Sequence, residues 1–173
     1  SSTYEPSSKT KMKLRAAPGA GTMYLQSECA EALAELFAGA EEAGYKLYLK
    51  SAYRAYKTQK TMYNNRLERN NGKDDGWVSK PGASDHQTGL GCDVVPGSWK
   101  DKSMNSNMAS TPECQWMAEH CYEYGFFIRY PEDKQDITEI NYEPWHLRYV
   151  GKEVARYIWR NGLCLEEFHE QLQ

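Results

Sequence analysis

Apolar positions Ala30, Leu33, Leu36, Phe37 and Ala40 recur at steps of three and four, the period of one helix face, and Gly44 supplies the stop. Ser27 is the expected N-cap of that helix. Residues 45–51 switch to alternation, Tyr-Lys-Leu-Tyr-Leu-Lys-Ser, which predicts a half-buried strand running into Ala52, Tyr53 and Arg54. A second helix is expected over residues 55–70, polar and basic on its outer face. Asn-Asn-Gly, Asp-Asp-Gly and Lys-Pro-Gly make residues 70–82 a loop, long enough to cover a cleft. Residues 90–95 predict a strand stopped by Pro96, followed by a Ser- and Asn-rich loop over 97–110.

Thr111 is the expected N-cap of the next helix, with Pro112 at its first position. Its buried stripe would be Cys114, Met117, Ala118, Cys121 and Tyr122, closed by Gly125. Residues 126–130 read as a strand, 131–139 as a charged turn and 140–150 as a strand interrupted at Pro144. A terminal helix from Gly151 carries Val154, Ala155, Tyr157 and Ile158, and a short acidic helix begins at Leu165. Helices and strands mix without a regular βαβ repeat. The expected fold class is α+β, a single domain whose central antiparallel sheet is flanked by helices. Residues 1–22, rich in Ser, Thr, Lys, Pro and Gly, predict an N-terminal arm or linker docked near 23–25, ahead of a domain over residues 23–173.

Composition narrows the function. A chain of 173 residues can bury a sizeable core without a structural metal, so a metal here would favour catalysis. Thirteen Tyr and five Trp suit a groove that grips an extended ligand. A net charge of -3 argues against nucleic acid as the main partner, because phosphate binding needs a basic face. Nothing points to an obligate protein partner. The five cysteines form no CxxC pair, and they read mostly as small core residues. Cys114 and Cys121 lie seven apart on one expected helix, about 10 Å of rise and too far for a bridge.

Two segments carry candidate chemistry. His86 and Asp93 would stand roughly 23 Å apart along a straight strand, so sharing one ion requires the chain to fold back. Gly89 and Gly91 lie between them and permit the reversal. Glu143 and His146 are three apart around Pro144, where a bend would aim both at one point. His86, Asp93 and His146 make a three-donor set with an open fourth position, the pattern of catalytic zinc. Glu143 would then be a general base outside the coordination sphere. Taken singly, either histidine is more often a hydrogen-bonded structural residue than a ligand, and only the joint spacing favours ligation. His120 and His169 lie on expected helix surfaces.

The motif Ser84-x-His86-x-x-Gly89-x-Gly91-x-Asp93 resembles the SxHxxGxAxD signature of the LAS zinc metallopeptidases, which include vancomycin-resistance D,D-dipeptidases and D,D-carboxypeptidases. Glu143-Pro144-Trp145-His146-Leu147-Arg148-Tyr149-Val150-Gly151 resembles the ExxH segment of the carboxypeptidase branch, and Ser51-Ala52-Tyr53-Arg54 its SxYR element. The likeness runs in order over about residues 27–160. Gly91 stands where the signature has Ala, a small-for-small change expected to leave the ligands in place.

The resemblance implies a hedgehog/D,D-peptidase-like fold and one Zn2+ held by His86, Asp93 and His146, with Glu143 as acid and base. It also implies that Arg54 grips a substrate carboxylate, stabilises the oxyanion, or both. Gln59 would sit beside the terminal carboxylate. Ser84 is a substrate contact or a turn hydroxyl, Tyr142 and Trp145 wall the pocket or pack the core, and Arg129 and Arg148 could support the ligands from behind.

The expected activity is D,D-carboxypeptidase action, removing D-alanine from peptidoglycan stem or precursor peptides. L,D-carboxypeptidase, D,D-dipeptidase and endopeptidase action are the enzymatic alternatives, and a zinc-containing wall-binding module the non-enzymatic one. The chain starts at Ser1, from which a mature or trimmed form is expected, secreted or anchored at the bacterial cell envelope.

Overall fold

The computed structural model describes residues 23–173 in full and, ahead of them, the backbone of strand β1 (Leu14–Ala16). The rest of the expected arm lies outside the described residues. β1 pairs antiparallel with β2 (Tyr24–Gln26), Arg15 opposite Leu25, so the expected docking near 23–25 takes the form of a two-stranded ribbon.

Helix α1 (Ser27–Glu42) follows β2 directly. Ser27 is not its cap: extended Gln26 occupies that position, and its side-chain amide donates instead to the Thr88 carbonyl at 2.6 Å. Leu33 and Leu36 on the apolar stripe are fully buried. After β3 (Leu47–Ser51) and α2 (Tyr56–Arg69), a 3-10 turn (Asp85–Thr88) leads into β4 (Gly91–Pro96). Thr111 caps α3 (Pro112–His120) as expected, its hydroxyl accepting from the Cys114 N–H at 3.3 Å. A further 3-10 turn and left-handed Gly125 (φ 91°) end that arm before β5 (Phe126–Ile128).

A short helix α4 (Gln135–Thr138) stands within the expected charged turn. Strand β6 (His146–Tyr149) is shorter than expected, because Pro144 and Trp145 form a turn instead of extended chain. Helices α5 (Lys152–Asn161) and α6 (Leu165–Gln171) complete the described chain.

The sheet order is β3-β4-β6-β5, every neighbouring pair antiparallel, which agrees with the expected α+β class. One core joins α1 and α3 to the sheet through Leu33, Leu36, Leu49, Val94, Met117, Phe126 and Leu147. Phe127, Ile158 and Leu165 form a smaller cluster that seats α5 and α6. Tyr157 and Ala118, both expected inside, face solvent; Tyr157 is 46% exposed. Neither helix needs them, because Ile158, Ala155, Cys114 and Met117 already fill its inner face. No described helix is long and apolar enough to cross a membrane.

All five cysteines are free and buried. Burial pushes the Cys29 and Cys121 thiols up to about 12 and the Cys114 thiol to about 11. Since the thiolate is the reacting form, the native protein is expected to resist a disulfide-exchange reagent at pH 8 and to release five thiols only in denaturant. A thiol that reacts within seconds in the native state would contradict this packing.

Candidate metal centre

The two motif segments meet across the middle of the sheet. β4 and β6 pair with Asp93 directly opposite His146, which puts a carboxylate and an imidazole side by side. Just before β6, Glu143, Pro144, Trp145 and His146 form a tight turn: the His146 N–H donates to the Glu143 carbonyl at 3.1 Å, with Pro144 at the corner. That turn brings Glu143 Oε2 to 3.0 Å from His146 Nδ1.

His86 arrives from the 3-10 turn, where the Ser84 hydroxyl accepts the His86 N–H at 3.3 Å. Left-handed Gly89 (φ 71°) then reverses the chain into β4, as the spacing required. The His86 ring donates from Nδ1 to the Ala52 carbonyl at 2.7 Å. A carbonyl can only accept, so in the neutral ring the proton sits on Nδ1 and Nε2 is free, facing Asp93 Oδ1 at 3.4 Å.

Two acceptors facing each other in a buried site call for a cation. Asp93 Oδ1 has no hydrogen-bond partner despite full burial, and it lies 3.8 Å from His146 Nδ1. Donor atoms of His86, Asp93 and His146 all fall within 4.8 Å of one another. Tetrahedral zinc with bonds of about 2.0–2.1 Å sets its ligands roughly 3.3 Å apart. The set is therefore slightly open but of the right chemistry and size.

The carboxylates divide by environment. Burial pushes Glu143 above the ordinary carboxylate range, against the pull of its His146 hydrogen bond. Burial would raise Asp93 too, but the facing His86 and His146 rings and the Arg54 guanidinium outweigh it and hold the group low. Asp93 is thus suited to stay an anion, and Glu143 to exchange a proton.

Around this centre opens a groove of about 860 Å3, whose walls include Arg54, Gln59, Ser84, Trp77, Glu143 and Trp145. Arg54 is aimed by two contacts: NH1 donates to Gln59 Oε1 at 2.8 Å and NH2 to Ser51 Oγ at 3.0 Å. Gln59 in turn donates to the Ser79 carbonyl at 2.7 Å. Each end of its amide makes one bond, so it links Arg54 to the loop from within the groove wall. Ser84 caps the turn, the second of its expected roles, and also lines the groove. Trp145 stacks on Trp77 of the 70–82 loop, with centroids 6.4 Å apart at 13°. Tyr142, half-buried, is not among the residues that line the groove. His120 and His169 stay away from the centre; His120 pairs with exposed Glu123 at 2.8 Å.

Asp85 was missed. It is buried between the two segments, paired with both Arg148 and Arg129. Its place beside a ligand in sequence is the only signal that could have found it. Asp85 also alters the reading of Gly91: a Cβ there would meet the Asp85 Cβ at 2.6 Å and its carbonyl carbon at 3.0 Å. In this chain glycine is required by the neighbour, and alanine is not an even exchange.

Three converging donors, with a buried glutamate beside them and an arginine in the same groove, form a candidate metal centre. The chain belongs to the VanY family, described as D-alanyl-D-alanine carboxypeptidase, which it matches over residues 22–152. It is 42% identical over 151 residues to the carboxypeptidase YodJ of Bacillus subtilis (strain 168), covering 87% of this chain and 55% of that protein. The chain spans about half the length of three of the curated relatives it matches.

Among solved structures it resembles the LdcB LD-carboxypeptidase, with a TM-score of 0.85 and 39% identity over 98% of this chain and 80% of the other. It also resembles a mutant of the vancomycin-resistance D,D-pentapeptidase VanY in complex with Zn(II). That likeness has a TM-score of 0.77 and 30% identity, over 92% of this chain and 90% of that one.

Gly91→Ala is expected to cost about 1–3 kcal/mol as the backbone moves off Asp85, lowering the melting temperature by roughly 2–4 °C per kcal/mol for a chain of this size. Calorimetry of the two proteins side by side checks this, and an unchanged melting temperature would show that the turn yields freely.

Proposed function

We propose that this protein is a D,D-carboxypeptidase with one catalytic zinc, removing the C-terminal D-alanine from peptidoglycan stem or precursor peptides. The observation that carries the reading is the buried Glu143 carboxylate beside the His86, Asp93 and His146 donors, inside an open groove. A closed structural site would have no use for such a base.

His86 Nε2, an Asp93 oxygen and His146 would hold the ion. Zinc so held supplies a Lewis acid and lowers the pKa of bound water to about 7. Glu143, poised high by burial, takes the proton of the attacking water and passes it to the departing amine of D-alanine. Arg54, fixed by Gln59 and Ser51, offers its remaining N–H groups to the terminal carboxylate or to the developing oxyanion. The stacked Trp77 and Trp145 form an apolar wall against which the peptide lies.

Groove size bears on the substrate. At about 860 Å3 the groove falls at the upper end of ordinary ligand clefts, roughly 300–1,000 Å3. An open cleft of that size suits a wall peptide better than free D-Ala-D-Ala. Wall peptides lie outside the membrane, so on this reading the enzyme works at the cell envelope. The likeness to the LdcB LD-carboxypeptidase favours a second reading, release of D-alanine from a tetrapeptide where it follows an L-centre.

The test is D-alanine release from a synthetic pentapeptide, a tetrapeptide and D-Ala-D-Ala, for the wild type and Glu143→Ala. We expect the pentapeptide to be the preferred substrate. Glu143→Ala should lose at least about 10²–10⁴-fold in rate while keeping one zinc per chain. Preference for the tetrapeptide would select the L,D reading. Zinc bound with no hydrolysis of any of the three would overturn the enzyme assignment.

A further inference from the structure

The His146 ring is contested from both edges. Glu143 Oε2 lies 3.0 Å from Nδ1, and Asp85 Oδ2 lies 3.7 Å from Nε2, which has no hydrogen-bond partner. Nδ1 is the edge that faces Asp93 and the rest of the donor set. A neutral imidazole carries one proton, and a metal takes the nitrogen without it. Ligation through Nδ1 therefore needs the proton on Nε2. Glu143 alone would favour the wrong tautomer, drawing the proton to Nδ1. Asp85 is the carboxylate on the other edge.

Asp85 is itself held from behind. It is only 6% exposed, receives an Arg148 N–H at Oδ1, and has Arg129 Nε 2.8 Å from Oδ2. The far side of the Arg129 guanidinium forks onto Glu166 of α6, at 3.0 and 2.6 Å. Beside that fork, Lys134 pairs with Glu167 at 3.0 Å, so two neighbouring acids of α6 grip the same side of the body. Helix α6 lies beyond residues 22–152, the span of the family match. An unbroken ionic chain thus runs from α6 through Arg129 and Asp85 to the edge of the third metal donor. Two guanidiniums pair with Asp85, and the fork fixes its position.

We propose that Asp85 is a positioning residue for the metal centre, fixing the His146 ring and its Nε2–H tautomer, and that Arg129 and Glu166 brace it from helix α6. The assignment rests on the metal reading above, but it concerns affinity for the ion and not the identity of the substrate. Outer partners of ligating histidines typically contribute about 10–100-fold in metal affinity.

The experiment measures zinc affinity by chelator competition on the full chain for the wild type, Asp85→Asn, Asp85→Ala and Glu166→Gln. Side-chain nitrogen NMR of His146 in the metal-free proteins reads the tautomer. We expect Asp85→Ala to weaken zinc by about 10–100-fold and to deplete the Nε2–H form. Asp85→Asn, which keeps an acceptor oxygen, should lose less, and Glu166→Gln should show a smaller loss in the same direction. If Asp85→Ala leaves two arginines unpaired and does not fold, Asp85→Asn and the half-exposed Glu166→Gln decide the matter. Zinc affinity within twofold of wild type in the folded variants, with the tautomer unchanged, would overturn the proposal. A wild type that binds no zinc would overturn the metal reading instead.

Discussion

The register between β4 and β6 is the constraint on which this site depends. Asp93 sits opposite His146, and a slip of one residue would send either side chain to the other face of the sheet. Cys92 and Leu147, the adjacent pair, lie fully buried in the core. Hydrophobic burial thereby fixes a register that the polar pair would not choose, since two desolvated donors facing each other gain nothing until a cation joins them. The core, not the polar pair, imposes the geometry.

The remaining parts follow from that line. The Glu143 turn lies at the head of β6, so Glu143 is set by the same strand that carries His146. At the other edge of β4, Ser51 of β3 stands opposite Asp93 and holds Arg54. His86 and Arg54 tie their segments together reciprocally: the Arg54 N–H donates to the His86 carbonyl at 2.9 Å, and the His86 ring returns a proton to Ala52. Three strands thus deliver one ligand or support each.

Much of this was legible in the sequence, for identifiable reasons. Helices α1 and α3 announce themselves through apolar steps of three and four, and His86, Asp93, Glu143 and His146 through spacing around Gly89 and Pro144. What escaped depends on distant partners. The late start of β6 at His146 comes from a turn that a run of extended-looking residues conceals. Gln59 reads from the sequence as a ligand contact, and its bracing of Arg54 and the Ser79 carbonyl could not be seen there. Asp85 carries no local signature, because its role is defined by arginines about 40 and 60 residues away. Its burial is also what turns Gly91 from a tolerant position into a tight one.

The loop over residues 70–82 carries a consequence for how a peptide is received. Its Asp75 is tied to Arg66 of α2, Asn141 bonds to both Asp75 and Gly76, and the Ser79 hydroxyl meets the Tyr130 hydroxyl at 3.2 Å. Asn141 lies only two residues before Glu143. The loop is therefore moored along its length, at one point close to Glu143, and behaves as masonry and not as a hinged cover. A peptide entering the groove meets a surface already in its working shape, so little of its association energy is lost in ordering the protein. Discrimination between peptides would then rest on fit to a standing contour, not on which guest can induce closure.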